Sequence, residues 1–316
     1  MTTVKYSYDN NNTTAIKFMI GKQEWYFEGF SRAGLKTSII CPQINTIFDA
    51  GDMSPLAAAQ DNMLISHGHM DHLGSLHFAH SSRKLNKNDK QRIVVMPTQC
   101  IVPFKHIAAA FSEMNSGRNT KNIHPLEHMV NTTIISSEEI TLHETMMDII
   151  NTGSYCVKSI LMDHKVKSFG YIIYMKSNRL KPEYIGLSGM EIKRLKETVG
   201  SITYMHFTPL VAYTGDTSIN GLHMNPELFT VPILIMECTG FSPEDHITTK
   251  KGGHIHWNEL LERSHLFKND KIILFHFSQQ YKKMEDITPY IESAPADFLE
   301  KIIFFMYLLL IITKHK

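Results

Sequence analysis

Apolar residues in this chain mostly alternate with polar ones or run in short blocks, and only a few stretches carry helical spacing. Residues 15–20 and 25–30 read as two strands, with Gly21-Lys22 as the hairpin turn between them. Further strands are predicted at 37–41, 46–48, 62–65, 92–96, 132–135, 155–162, 171–175, 211–213, 231–236 and 271–275. Helical spacing appears at 73–79, 103–114, 191–199 and 257–267. Strands interrupted by helices predict an α/β fold. The polar, basic residues 81–91 read as a surface loop. Residues 302–312 form an 11-residue apolar run. Crossing a bilayer takes about 20 such residues, so this run reads as a last buried strand and no membrane span is expected. No repeat and no long linker interrupts the pattern, which predicts a single domain over residues 1–316.

Composition changes the picture at two points. The formal net charge is +1, so any polyanion must be held by a local patch and not by the whole molecule. Such a patch exists at about 176–200, where Lys176, Arg179, Lys181, Lys193, Arg194 and Lys196 are interleaved with Tyr184 and broken by Pro182, Gly186 and Gly189. It reads as an inserted basic arm able to grip a phosphate backbone, with Arg179, Lys181, Lys193 and Arg194 as the contacts. The four cysteines, Cys41, Cys100, Cys156 and Cys238, are far apart and form no C-x-x-C pair. They read as reduced, buried thiols, and with a polar run at 9–14 in place of a signal peptide they predict an intracellular protein.

The chemistry is concentrated in Ser66-His67-Gly68-His69-Met70-Asp71-His72, an H-x-H-x-D-H run just past a buried strand. Ligands in open α/β sheets sit beyond the carboxyl ends of strands. His67 and His69 alternate, so an extended piece aims both at one cation. Asp71 and His72 follow where the chain turns, within reach of a second. Asp49 or Asp52, in the turn before this strand, is a candidate carboxylate for orienting a metal-bound histidine. His164, between two predicted strands, is a candidate third histidine for one of the ions. Asp216, presented by Thr214-Gly215-Asp216-Thr217 at a strand end, can bridge two cations.

These segments, taken in order, resemble the metallo-β-lactamase superfamily and, within it, the tRNase Z family in its short, plant-like form. Phe30-Ser31-Arg32-Ala33-Gly34-Leu35-Lys36-Thr37 resembles that family's opening. His164 through Gly170-Tyr171, the segment Leu180 to Ile185 and Thr214-Gly215-Asp216-Thr217 resemble its middle motifs. Glu237-Cys238-Thr239 with Gly253-His254, and His276-Phe277-Ser278, resemble its closing ones. Two positions depart: Lys167 stands where proline is usual, and Gln279-Gln280 where a basic residue precedes Tyr281. The likeness covers roughly residues 28–290.

The resemblance implies an αββα metallo-β-lactamase sandwich with a dinuclear site at one edge. It implies two zinc ions per chain, with manganese as a chemical alternative for the same N/O donors. His67, His69, His164 and Asp216 would hold one ion, and Asp71, His72, His276 and Asp216 the other. Asp71 would accept a proton from water, and His254, kept charged by Glu237, would donate one. The implied reaction is endonucleolytic removal of the 3′ trailer from precursor tRNA, leaving a 3′ hydroxyl, by a homodimer. A small-molecule metallohydrolase or phosphodiesterase of the same superfamily is the alternative. It needs the metals but neither the arm nor the Glu237/His254 pair.

Overall fold

The computed structural model describes residues 4–8, 13–85, 90–117, 131–141 and 145–306. Among them are two sheets. The first comprises β1 (Lys5–Tyr8), β2 (Thr14–Ile20), β3 (Gln23–Arg32), β4 (Lys36–Cys41), β5 (Thr46–Phe48), β6 (Asn62–Leu64), β7 (Arg92–Met96) and β8 (Thr132–Ser136), side by side in that order. The second comprises β9 (Met147–Asp148), β10 (Tyr155–Met162), β11 (Ser168–Leu180), β12 (Thr203–Tyr213), β13 (Ile233–Glu237), β14 (Lys271–Phe275) and β15 (Ile302–Phe304), again in chain order. Each sheet starts as an antiparallel meander and continues as a parallel run, β5 to β8 in the first and β12 to β15 in the second.

Side-chain alternation decides which face each strand turns inward. Along β3, Trp25, Phe27, Gly29 and Ser31 are buried and their neighbours less so. Phe27, Phe48, Tyr213, Phe275 and Ile235 from both sheets form one core between them. Rings stack across it: Phe48 on Tyr213 at 4.9 Å and Tyr213 on Phe275 at 5.1 Å between centroids. Each such side chain, fully buried, contributes about 1.5–3 kcal/mol. A second cluster covers the outer face of the first sheet, where Ala57, Leu76 and Phe104 come from helices. A third covers the outer face of the second sheet, with Leu222, Trp257, Leu260 and Phe298. The layers are therefore helix, sheet, sheet, helix.

β11 and β12 are longer than the predicted strands. Their inner halves are buried and their outer halves are not: burial stops at Tyr174 in β11 and begins at Val211 in β12. The two stay paired out to Leu180↔Thr203, with a register irregularity at Ile173/Tyr174 where the ribbon leaves the sandwich. A bulge there bends and twists a ribbon. Beyond the ribbon lies the helix Gly189–Thr198, which has no buried residue. A capping box starts it, with the Ser188 hydroxyl and the Glu191 carboxylate each satisfying the other's backbone N–H.

Three expectations need correction. Residues 81–85 are not loop, because the helix Leu76–Leu85 continues through them; polarity does not end a helix, and no glycine or proline lies within this one. The predicted helix at 257–267 is a helix only over Trp257–Leu261, and Phe267 reaches the core after a 3-10 turn, Ser264–Leu266. Of the apolar run at 302–312, Ile302–Phe304 forms β15, and residues 307–312 lie outside the described residues. The four thiols are buried and unpaired. No helix among the described residues is long and apolar enough to cross a membrane.

Candidate metal centre

The carboxyl ends of β5, β6, β10, β12, β13 and β14 open on the same edge of the sandwich. His67, His69, Asp71 and His72 follow β6, His164 follows β10, Asp216 follows β12 and His276 follows β14. Glu237 ends β13. Sheet topology therefore brings together side chains that are more than two hundred residues apart in sequence.

Three groups of donor atoms result, each with its atoms within 4.8 Å of one another: His67, His69, His164 and Asp216; Asp71, His72 and His276; and Asp216, His254 and His276. Asp216 is shared between the first and third groups. Its carboxylate also lies 3.3 Å from His72 Nε2 and 3.3 Å from His276 Nε2, so it stands between the first and second. Among the described residues, His72 Nε2, His164 Nε2, His276 Nε2 and Asp216 Oδ1 are buried without a hydrogen-bond partner. Buried polar atoms left in this way are costly unless something binds them. Four of them facing one centre fit cations, and imidazole and carboxylate donors without thiolate suit zinc or manganese.

Four of the cluster's histidines are held from behind, whereas His69 Nδ1 lies 3.0 Å from His67 Nε2. The other ring nitrogen of His72, Nδ1, lies 2.6 Å from Asp49 Oδ2. His164 Nδ1 is 2.9 Å from the Gly253 carbonyl, which fixes the tautomer and leaves Nε2 as the free donor. His276 Nδ1 meets the Thr239 hydroxyl at 3.0 Å, and His67 Nδ1 meets the Ser66 hydroxyl at 2.9 Å. Asp49 is the hub: it also accepts the Ser66 N–H and hydroxyl and the Tyr213 hydroxyl, and it is fully buried. Asp52, the other turn carboxylate, faces away and pairs with Lys36 at 2.7 Å. Asp71 Oδ2 accepts the Gly34 N–H at 2.8 Å, and the His276 N–H is held by Ser31 Oγ at 3.0 Å. The opening segment thus packs against the last motif.

The backbone is bent to make this possible. Asp49 (φ 58°) and His276 (φ 66°) are both left-handed, a conformation that non-glycine residues adopt at a cost of order 1–3 kcal/mol and mostly at functional sites. Gly215 (φ +61°) has no substitute, since a Cβ there would lie 2.4 Å from Ser66 Cβ.

The electrostatics follow from burial and neighbours. Burial and the surrounding imidazoles hold His67 well below its usual range, so it is neutral and able to ligate. Burial and His164 do the same, more weakly, for His69. Burial also works against charge on His72, but the Asp216 and Asp49 carboxylates outweigh it and raise that residue well above its usual range. Burial favours the neutral form of Asp216, and the His276 and His72 rings overcome it, holding the carboxylate ionised. Asp71 is likewise kept ionised against burial by its bond to His276 and by His72. A proton on His72 therefore occupies the place a cation would take, and a cation held there would displace it.

His254 sits at the rim, with Nδ1 3.0 Å from Glu237 Oε1 and 3.9 Å from Asp216 Oδ2. Burial pulls its pKa down, but the charge of Glu237 and the bond to it win and lift the value to about 9. Glu237 is fully buried and is itself fixed by the Thr217 N–H, the Thr239 hydroxyl and the Ile255 N–H. The arm residues Arg179, Lys193 and Arg194 are exposed and Lys181 is half-buried, all far from this centre along the ribbon. Of the two departures, Lys167 pairs with Glu138 at 2.7 Å, and Gln279 and Gln280 bond the Ala33 carbonyl and Asp245. None of these three contacts involves a donor of the metal cluster.

Sequence reasoning missed Ser66, Thr239 and Gly253 as the groups that orient histidines. Only Ser66 carried a signal, its place directly before His67.

No protein-family model matches the chain. Against curated proteins, it is 32% identical over 266 residues to tRNase Z TRZ1 of Arabidopsis thaliana, covering 82% of this chain and 88% of that one. It is 27% identical over 265 residues to the chloroplastic tRNase Z TRZ2 of the same plant, covering 82% and 69%. Among solved structures, a long form RNase Z from yeast superposes with a TM-score of 0.53 at 17% identity, over 92% of this chain and 38% of that one, a likeness of fold. With this extent of identity to a plant tRNase Z, and a fold like that of the yeast RNase Z, the chain belongs to the tRNase Z family.

Proposed function

We propose that this chain is a metal-dependent endoribonuclease that removes the 3′ trailer from precursor tRNA and leaves a 3′ hydroxyl on the tRNA. The observation that carries this reading is the family membership combined with the His254–Glu237 pair at the rim of the metal cluster. A small-molecule hydrolase on the same scaffold has no need of that pair.

His67, His69, His164 and Asp216 would hold one ion, and Asp71, His72, His276 and Asp216 the other. Zinc as the metal, two ions per chain and a homodimer belong to the same proposal and rest on the resemblance. When bound, such ions make a water molecule acidic enough to lose a proton near neutral pH and offset charge on the phosphoryl oxygens. Asp71, ionised and anchored by the Gly34 N–H, accepts the proton of the attacking water. The water oxygen bonds to phosphorus, the bond from phosphorus to the ribose 3′ oxygen breaks, and its electron pair goes to that oxygen. His254 Nε2 then donates a proton to it, while Nδ1 stays bonded to Glu237. The products are tRNA with a 3′ hydroxyl and a trailer with a 5′ phosphate.

A pKa of about 9 is high for a general acid, which works best near the operating pH. Cations held at the neighbouring cluster would repel the extra proton and move the value toward neutrality. The arm at 176–200 would supply the RNA grip through Arg179, Lys181, Lys193 and Arg194.

The test is incubation of purified protein with a precursor tRNA and mapping of both new ends. Cleavage at the 3′ end of the tRNA body, abolished by a chelator and restored by zinc or manganese, is the expected result. Intact precursor together with turnover of small phosphodiesters would favour the alternative.

A further inference from the structure

Beside the metal cluster lies a cavity of about 440 Å³, with His164, His254, Lys165, Lys250 and Lys251 in its lining. Its size falls within the range of about 300–1,000 Å³ usual for small-molecule sites. Its lining includes the proposed proton donor, His254, and one of the proposed metal ligands, His164. The exposed side chains of Lys165, Lys250 and Lys251 ring it. Lys165 belongs to the turn after β10, and the other two to the last turn of the helix His246–Gly252. Two carboxylates line it as well, and both are engaged. Asp163 accepts the Ser218 hydroxyl, and Glu259 lies 3.5 Å from Lys250 and accepts the His256 N–H at 3.1 Å. The local balance is therefore positive, in a chain whose formal net charge is only +1.

We infer that this cavity receives the nucleotide on the tRNA side of the cut, and that Lys165, Lys250 and Lys251 hold the phosphate one step upstream of the scissile one. The inference rests on the proposed role of His254. An in-line displacement places the attacking water and the departing 3′ oxygen on opposite sides of phosphorus. The departing oxygen lies toward the group that protonates it, so the ribose carrying it lies on the His254 side, where the cavity opens. Ile219 and the exposed Asn220 line the same cavity, an apolar side chain for that sugar and an amide for the base, while the Ser218 hydroxyl is taken up by Asp163 and the Asn220 N–H. The lysines then meet the next anionic group along the strand, with ammonium groups acting as point charges on a phosphate. This contact fixes register. It is distinct from the arm, whose charges lie at the far end of the β11–β12 ribbon.

The experiment compares three precursor tRNAs: unmodified, with a neutral methylphosphonate at the phosphate one step upstream of the cut, and with one at the phosphate one step downstream. The upstream modification is expected to lower kcat/KM of the unaltered enzyme by about 10- to 100-fold, as for loss of hydrogen bonds to a charged group. In a Lys165→Ala/Lys250→Ala/Lys251→Ala variant the unmodified substrate should already show that loss, and the upstream modification should add nothing. The downstream modification should cost both enzymes the same. An undiminished upstream effect in the variant, or a lysine effect that tracks the downstream position, overturns the inference while leaving the nuclease reading intact. Failure of the unaltered enzyme to cut the unmodified precursor overturns both. A Lys165→Arg/Lys250→Arg/Lys251→Arg variant that keeps wild-type efficiency separates loss of charge from loss of fold.

Discussion

The metal centre and the arm are joined by two strands and built on opposite principles. At the centre, His67, His72, His276, Asp216 and Asp49 are buried, and His67, His72, His164 and His276 are each fixed by a second group. In the arm, the helix Gly189–Thr198 buries nothing and is held chiefly by its own cap. Yet β11 starts just after His164 and β12 ends just before Asp216, so the ribbon that carries the arm is rooted in the centre. β11 has 13 residues, which at about 3.3 Å per residue puts the arm on the order of 40 Å from the ligands. Buried, cross-braced side chains suit bond-making, where misplacement by about 1 Å is costly. Exposed, locally folded charge suits a grip on a backbone that is read by shape. The separation implies that chemistry and grip can be broken independently.

Asp216→Ala should give the largest effect, because it removes the carboxylate that stands between the ligand groups. Loss of bound metal and of hydrolysis of both precursor tRNA and bis(p-nitrophenyl) phosphate to background is expected, measured by metal analysis beside activity. Retention of full metal content would contradict the shared role. His254→Ala comes next, with kcat on precursor tRNA lower by about 10²–10⁴ at unchanged metal content and RNA affinity. As the proposed proton donor, His254 would act in its protonated form, so the unaltered enzyme should lose activity as pH rises through the pKa of His254, and the variant should lack that limb. Metal loss in this variant would instead make His254 a ligand, as its reach to Asp216 and His276 allows. Asp49→Asn is milder: metal affinity should drop by about 10- to 100-fold, the usual cost of losing the group behind a ligand. Because His72 must shed a proton to ligate, affinity should also fall as pH is lowered, and equilibrium dialysis at several pH values checks both.

Much of the centre was legible because its signals are local. His67 to His72 lie within one turn after a strand, and Thr214-Gly215-Asp216-Thr217 announces a strand end. What was not legible came from pairing between distant segments. Nothing near Asp49 in the sequence shows that it, and not Asp52, turns inward to His72; that follows from its left-handed backbone and from Tyr213, 164 positions away. The Gly253 carbonyl behind His164 and the Gly34 N–H on Asp71 are backbone groups, which no residue-type pattern reveals. In the fold, the buried strands were found by their apolar runs. The outer halves of β11 and β12 were missed because exposed ribbon residues such as Asn178, Arg179 and Met205 show no buried face. Lys165 lies far in sequence from the adjacent pair Lys250 and Lys251, and the three come together only at the cavity.

The separation of chemistry from grip is tested most directly by neutralising Arg179, Lys181, Lys193 and Arg194 together. Precursor tRNA binding should weaken, the slope of its logarithmic salt dependence should fall by about 3 to 4, and hydrolysis of bis(p-nitrophenyl) phosphate should be unchanged. Equal loss on both substrates, or a salt slope that does not move, would contradict the account.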